Sequence, residues 1–503
     1  MTKKEKELAK KAIARQLRFF PEAGSLSFGF GASSILGLAF LLFSFDTATL
    51  SFKPTMIMIG LGFIVEGLIS LLGRKLVEKQ VIKTGKVNRG TRLLGLLMFL
   101  TIANFNIFVS IAGLHLLKEK KNTEYLFGCY MLLEEVLVII VSCVNLLKPT
   151  IIYTFYQGIA LFAAIVVVHA VCLFAIAGIE GNKASKKYLP IGIILCLTAL
   201  DGNILSLIVG LMVIAKCFAR DENVSIGWVD VIKRLLKSKT AMLGAFIVVF
   251  LICVSICANL TFDYNLAADN DYMHILTKPC AEYPFGTDNY GRCVFTRVIF
   301  GARISLSVGF FSTGISLVLG VVLGTIAGYY SGTIENVIMR VLDVFMAIPG
   351  ILLQIAIISA LGSSVTNMVI ALSFGGIPGY ARTVRASILQ LSGEEFVEAA
   401  RACGAKDGVI MFKHMLPNSL APLIVRLTLG IGGAVTSVSS LSYLGIGIQP
   451  QIPEWGNVLK AGSAYLETDP YIAIYPGFAI MLLVLSFNFL GDGLRDALDP
   501  KLK

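Results

Sequence analysis

The run Ser392–Asn418, SGEEFVEAARACGAKDGVIMFKHMLPN, is charged and strongly patterned, and it lies between two long apolar segments. Ser392 followed three residues later by Glu395 has the form of a capping box, so the spacing predicts a helix from there to Cys403, closed at Gly404 by a left-handed cap. Phe396, Ala399, Ala400 and Cys403 fall on one face of that helix, and Glu394, Glu398 and Arg401 on the other. A second helix is expected from about Gly408 to Met415, stopping near Pro417 because proline disfavours helical geometry in the residue before it. A knob with one small apolar face and one charged face, held between membrane spans, suits docking into a groove on a soluble partner.

The rest of the chain supplies the membrane. Hydrophobic residues make up 56% of the 503, mean hydropathy is +0.79, and apolar runs of bilayer length recur throughout, which no soluble fold needs. A formal charge of +11 would suggest nucleic acid in a soluble protein. Here Lys and Arg cluster between apolar runs, so the expected partner is the lipid membrane and no nucleic acid. No C-x-x-C or H-E-x-x-H occurs and only four histidines are present, so no metal site is expected. No G-x-x-x-x-G-K-[ST] loop occurs either, so the chain is expected to bind no ATP in that way and no cofactor of its own. No nucleophile, base and orienter constellation suggests an enzyme.

Met1 to Arg18 is Lys-rich, with Ala9, Ile13, Leu17 and Phe20 on one stripe, the pattern either of a helix lying at the cytoplasmic membrane surface or of a solvated tail. Six apolar segments follow, at about 25–45, 55–73, 93–117, 125–147, 151–178 and 189–217, and each is expected to cross the bilayer. The connection rich in basic residues from Arg74 to Arg92 is then inside. This arrangement leaves Lys118, Lys120 and Lys121 outside. Glu66, Glu134, Glu135, Asp201 and His169 lie in or near these segments, as an ion path or as groups facing other helices.

The composition changes near Arg220 to Thr240, where Trp228, Ile232, Leu235 and Leu236 line one side of a short surface helix. A boundary there divides residues 1–225, an N-terminal membrane extension, from residues 226–503. Six further spans are expected at about 241–262, 303–330, 341–363, 366–383, 419–446 and 471–492, with Pro349 kinking the third. The fold expected is therefore all-α and polytopic, a six-span core preceded by an additional bundle of about six spans.

Glu398-Ala399-Ala400, three further residues, Gly404 and then Leu416-Pro417 resembles the EAA loop of ABC importer permeases, the element that receives the cytoplasmic ATPase. His414 within FKHMLPN is similar to the version carried by the dipeptide, oligopeptide and nickel branch. PFGTDNYGRCVFTRVIFGARISLSVG (Pro284 to Gly309), MRVLDVFMAIPG (Met339 to Gly350), YARTVR (Tyr380 to Arg385), SYLGIGIQPQIPEWGN (Ser442 to Asn457) and NFLGDGLRDALDPKLK (Asn488 to Lys503) extend the resemblance, the last two toward the second membrane subunit of peptide importers.

The resemblance implies a type I permease core working with a second homologous permease subunit, two cytoplasmic ABC ATPase subunits that use ATP and Mg, and an extracytoplasmic substrate-binding protein. It implies a multi-pass protein of a prokaryotic cell membrane, both termini cytoplasmic, with peptides as the leading cargo. On these residues it makes Glu398 the charged contact with the ATPase, Ala399 and Ala400 the close-packed face and Gly404 the turn. Asp407, His414, Leu416 and Pro417 complete the loop, with Asp343, Arg382 and Arg385 as supporting cytoplasmic groups. Cys280 and Cys293 share a loop expected outside, where two thiols at this spacing can form a disulfide; Cys293 stands where the family usually shows an acidic residue. The alternative function is an ion-coupled secondary transporter or membrane sensor that uses the acidic residues of the first block.

Overall fold

The computed structural model describes residues 21–499 except 43, 47–50, 53, 85, 119–121, 149, 180, 182, 219–230 and 233. The expected surface helix at Met1 to Arg18, and Trp228 of the expected helix near residue 230, lie outside the described residues. The chain divides into two compact units, Met1–Cys143 with Ile159–Val224, and Val144–Gly158 with Ser225–Lys503. Among the described residues, eight helices are long and apolar enough to cross a membrane, or nine when one sharply bent pair is taken as a single span.

The first unit is built from long helices and short helical hairpins. Helix α1 (Pro21–Leu42) passes through a small antiparallel β-hairpin, Phe45–Asp46 with Ser51–Phe52, into α2 (Pro54–Thr84). The segment expected to cross at 93–117 instead splits into α3 (Arg89–Phe99) and α4 (Ile107–Leu117), joined through a short 3-10 turn and Phe105 in a left-handed conformation. The two ends of this segment meet: Arg92 Nη1 donates to the Leu116 carbonyl at 3.4 Å.

Helices α5 (Thr123–Cys143) and α6 (Phe155–Ile176) are again long, and the segment expected to cross at 189–217 again splits, into α7 (Leu189–Thr198) and α8 (Ile204–Phe218). Here too start and finish lie together, with Ala184 N donating to the Lys216 carbonyl at 3.0 Å and Lys216 Nζ to the Gly181 carbonyl at 2.8 Å.

The two hairpins are alike in detail, and the same residues explain both. Gly95 and Gly113 bring the arms of the first into backbone contact, as Gly192 and Gly210 do in the second. At each tip an asparagine caps the returning helix: Asn106 accepts from Val109 N at 3.2 Å, and Asn203 from Ser206 N at 3.2 Å. The caps are tied to the long helices through their remaining donors. Asn106 Nδ2 donates to Glu66 Oε2 at 2.7 Å and to Ser33 Oγ at 2.9 Å, and Asn203 Nδ2 donates to Glu135 Oε2 at 2.9 Å and to the Met131 carbonyl at 3.1 Å. His169 Nε2 lies 2.9 Å from Thr198 Oγ1, near the second tip. Glu66, Glu135, Asp201 and His169 are thus gathered at hairpin tips. The glycines, the asparagine and a threonine (Thr101, Thr198) recur at one constant spacing, so the unit is an internal repeat of two long helices and a hairpin.

A segment of about eleven helical residues is only ~17 Å long, about half the hydrocarbon thickness. The expected crossing therefore fails twice, each time because a polar turn at mid-segment finds an acidic partner on a long helix. Both ends of each hairpin lie at one end of the bundle, so Lys118 is at the same end as the basic 74–92 stretch, and the positive-inside conflict of the expected topology disappears.

The second unit comprises α9 (Lys239–Thr261), α10 (Val294–Tyr330), α11 (Gly332–Ala347), α12 (Gly350–Leu361), α13 (Val365–Leu391), α14 (Glu395–Ala402), α15 (Leu420–Leu444), α16 (Trp455–Ser463) and α17 (Tyr471–Leu498). Pro349 does more than kink its helix: α11 and α12 meet at 87°, since proline lacks the amide that would continue the ladder. Helix α10, 37 residues long, reaches ~55 Å and must project beyond a ~30 Å hydrocarbon layer.

Its partner along most of that length is α13. Glycines at 320, 324 and 328 place the α10 backbone directly on Tyr380, Ala381, Val384 and Ile388, leaving no room for a Cβ. At the far end, Trp455 is fully buried and donates Nε1 to the Val298 carbonyl at 2.8 Å. Glu454 beside it accepts from Ser305, Ser439 and the Asn457 amide, which explains the compact PEWGN string.

Val144–Gly158 packs with this unit: Asn145 Nδ2 donates to the Thr261 carbonyl and Thr154 Oγ1 to that of Leu260. Lys148 is buried, with Nζ 2.6 Å from Cys293 Sγ and over the rings of Tyr283 and Phe295. The expected Cys280–Cys293 link is not formed; both are free thiols. They face different partners, since the Cys280 sulfur, exposed, accepts from Tyr283 N, whereas Cys293 is buried against Lys148 at the start of α10. Burial first, then the neighbouring acidic groups Glu282 and Asp271, push the Tyr283 phenol up to about 12, so the ring under Lys148 is neutral.

Cysteines introduced as Arg89→Cys and Lys118→Cys, in a background lacking reactive native thiols, should label from the same side of the membrane with an impermeant maleimide. Labelling from opposite sides would restore a full crossing at 93–117.

Candidate functional site

The 392–418 loop is the compact continuation of α13. Ser392 ends that helix rather than starting the next: its amide donates to the Ile388 carbonyl, its hydroxyl donates to Leu389 O at 2.7 Å, and its backbone is helical. The capping box is therefore not made. Glu394, extended and with no side-chain cap bond, precedes α14.

Gly404 closes α14 with φ +76°, and the amides of Cys403, Gly404 and Ala405 return to carbonyls of Ala399, Arg401 and Ala400. Nothing lies within 4 Å of where a Gly404 Cβ would stand. The glycine is required by backbone conformation alone.

The buried face of α14 differs from the one the spacing suggested. Val397 is fully buried, with Ala400 partly so, against Tyr380, Val384, Ile388, Ile410, Met415 and Leu423. Phe396, Ala399 and Cys403 are exposed. The period was right, but the stripe is rotated about one residue, because the β-branched Val397 fills the space beneath α13.

Past Gly404 the chain does not form one regular helix. A short turn, Asp407–Val409, runs into a π-helical stretch, Ile410–Met415, and then into Leu416–Asn418. Leu416 stays helical before Pro417, which sits in the first turn of the last piece, where a missing amide costs little. Asn418 Nδ2 donates to the His414 carbonyl at 2.7 Å.

The loop is fastened to the bundle by polar contacts that the motif alone did not reveal. Tyr329, at the projecting end of α10, donates its hydroxyl to Asp407 Oδ1 at 2.7 Å, while the Arg401 guanidinium lies over its ring at 5.4 Å. Between α13 and α11, Arg382 reaches Asp343 at 2.5 Å, and Arg385 donates Nε to Glu335 Oε1 at 2.6 Å. Asp343, Arg382 and Arg385 thus share one polar patch with Glu335, which the sequence reading did not single out. Glu398, by contrast, is exposed and pairs with no cation among the described residues. Around it lies apolar surface: Phe396, Val409 and Phe412 are 38%, 40% and 44% exposed.

Above the loop, α10, α13 and α15 enclose one side of a cavity of about 750 Å³, lined by small and hydroxyl-bearing residues such as Ser312, Gly376 and Ser437. The loop and the cavity are therefore joined by α13, which lines one and ends at the other.

Gly404→Ala should destabilise the loop by about 1–2 kcal/mol and Gly404→Val by more, since a left-handed backbone opposes any Cβ and a β-branched one most. Hydrogen exchange across residues 395–410 would read this as faster opening; equal exchange in both variants would contradict it.

Comparison with known proteins locates similarity in this second unit. Residues 320–503 match the family described as binding-protein-dependent transport system inner membrane component, and residues 228–279 match the N-terminal transmembrane domain of oligopeptide transport permease C. The chain is 46% identical over 276 residues to the dipeptide transport system permease protein DppC of Alkalihalophilus pseudofirmus, covering 55% of this chain and 90% of that one. It is 41% identical over 284 residues to the glutathione transport system permease protein GsiD of Pectobacterium atrosepticum, covering 56% and 94%. To the GsiD of Escherichia coli it is 42% identical over 289 residues, covering 58% and 95%.

Proposed function

The chain belongs to the family of binding-protein-dependent transport inner-membrane components as a permease subunit of an ABC importer, without ATPase activity of its own, and on that premise we propose that it admits di- or oligopeptides to the cell. The peptide reading is supported by the dipeptide permease among its relatives. Glutathione, itself a small peptide, is the second cargo their names suggest. The working assembly would contain a second homologous permease, two ATPases that supply ATP and Mg chemistry, and a binding protein on the outer side. Both termini and the 392–418 loop would face the cytoplasm, with residues 1–225 as a separate membrane extension.

The observation that carries the mechanism is an exposed loop that is rigid toward its own bundle and unsatisfied toward the outside. Val397, Met415 and the Tyr329–Asp407 bond make it move with α10 and α13. Glu398 and the apolar surface of Phe396, Val409 and Phe412 are open for an ATPase groove. Ala399, small and exposed, permits close approach, Ala400 faces inward and Gly404 sets the turn. His414, Leu416 and Pro417 carry the loop back into α15. Closure of two ATPases around ATP would then shift the loop as a rigid body and tilt the helices that flank the cavity.

The test is uptake by proteoliposomes holding the full complex. Dialanine should accumulate only with ATP and the ATPases. Uptake driven by an ion gradient without ATP would support the rival ion-coupled transporter and overturn this reading. Glu398→Ala should weaken ATPase association by roughly 2–5 kcal/mol if its partner pair is desolvated, and less at a rim; unchanged co-purification and uptake would remove Glu398 from the docking contact.

A further inference from the structure

The cavity between α10, α13 and α15 has one formal charge among its described lining residues, Arg426 on α15. Nearby arginines on α13 have carboxylate partners, Arg382 with Asp343 and Arg385 with Glu335, and Arg292 and Arg297 share Asp288. Arg426 meets no carboxylate among the described residues. What holds it is geometry of a different kind.

Its Nη1 donates to Thr383 Oγ1 at 3.1 Å, and its guanidinium lies over the Tyr380 ring at 5.4 Å. The guanidinium occupies the space beside Gly379 that any side chain at that position would fill. A guanidinium held over an aromatic ring by one bond to Thr383 still has N–H groups beyond that bond for an acceptor.

The rest of the lining cannot compete for an anion. The hydroxyls of Thr313, Ser316, Thr383 and Ser437 donate to carbonyls of their own helices. Their lone pairs, not their protons, are left toward the space. Apart from the Gln354 amide, Arg426 is the cavity's strong side-chain donor.

We propose that Arg426 is a specificity-determining residue of the transport path, and that it receives a carboxylate of the cargo as it passes. This inference rests on the peptide reading above and deepens it: an unmodified linear peptide carries a terminal carboxylate, and a guanidinium can take both oxygens at once. A single contact of this kind favours carboxylate cargo without trapping it, because the cavity is otherwise weakly polar. The expected discrimination is about tenfold or more, the usual worth of a hydrogen bond to a charged group.

The experiment compares uptake of alanyl-alanine and alanyl-alanine amide by the full complex carrying wild-type, Arg426→Gln or Arg426→Lys chains. The binding protein has its own preference between the two probes, but it is the same protein in every preparation and cancels when acid-to-amide ratios are compared. The ratio should fall about tenfold in Arg426→Gln and remain closer to wild type in Arg426→Lys, which keeps the charge but loses the fork. An unchanged ratio, or equal loss of both probes in both variants, would overturn the role of Arg426 while leaving peptide import standing. Transport of neither probe by the wild type would overturn the peptide reading, and this inference with it.

Discussion

The close approach of α10 to α13 is the constraint on which the second unit depends. Gly320, Gly324 and Gly328 present one bare strip of backbone, and Tyr380, Ala381, Val384 and Ile388 lie directly on it. In a bilayer no hydrophobic force drives two apolar helices together, so close packing of small residues has to supply the association. Once made, the contact fixes Tyr380 and Thr383 beside the cavity, Arg382 and Arg385 over Asp343 and Glu335, and the end of α13 above Val397. Cavity, polar patch and loop are successive stations along a single helix.

Rigidity and openness are divided cleanly in this arrangement. Toward the bundle the loop is satisfied, through a buried valine, a π-helical stretch that seats Ile410 and Met415, and the phenol of Tyr329 on Asp407. Toward solvent it presents a carboxylate that pairs with no cation among the described residues, and the exposed apolar side chains of Phe396, Val409 and Phe412. An element that is to transmit motion needs both: a soft inner contact would absorb a displacement before the spans felt it.

Much of this was legible in the sequence, and the misreadings have physical causes. Helical content, the left-handed glycine at 404 and the break at Pro349 follow from local chemistry and stand in the structure. Ser392 was misread because a serine hydroxyl can bond forward to an amide or back to a carbonyl, and only the length of α13 decides which. The buried face of α14 was misjudged by one position, since periodicity fixes the width of a stripe better than its phase. Arg426 lies inside an apolar run that gives no sign of it, because its setting is made by a tyrosine and a glycine more than forty residues earlier in the chain. The two hairpins were hidden most thoroughly. Hydropathy measures how apolar a segment is, and Asn106 or Asn203 alone scarcely lowers it, yet each asparagine turns its segment back on itself by finding a glutamate on another helix.

Those hairpins settle a matter of parity. Each repeat contributes two crossings and a hairpin that returns to its own side, so the described N-terminal unit amounts to four traverses, an even number. The described part of that unit therefore ends, at Phe218, on the side from which Pro21 set out. Had either hairpin been a true span, that unit would hand the chain on from the opposite side. Because a repeat of this design carries no net change of side, it can be duplicated or deleted whole in front of a membrane domain while the topology of that domain stays as it was.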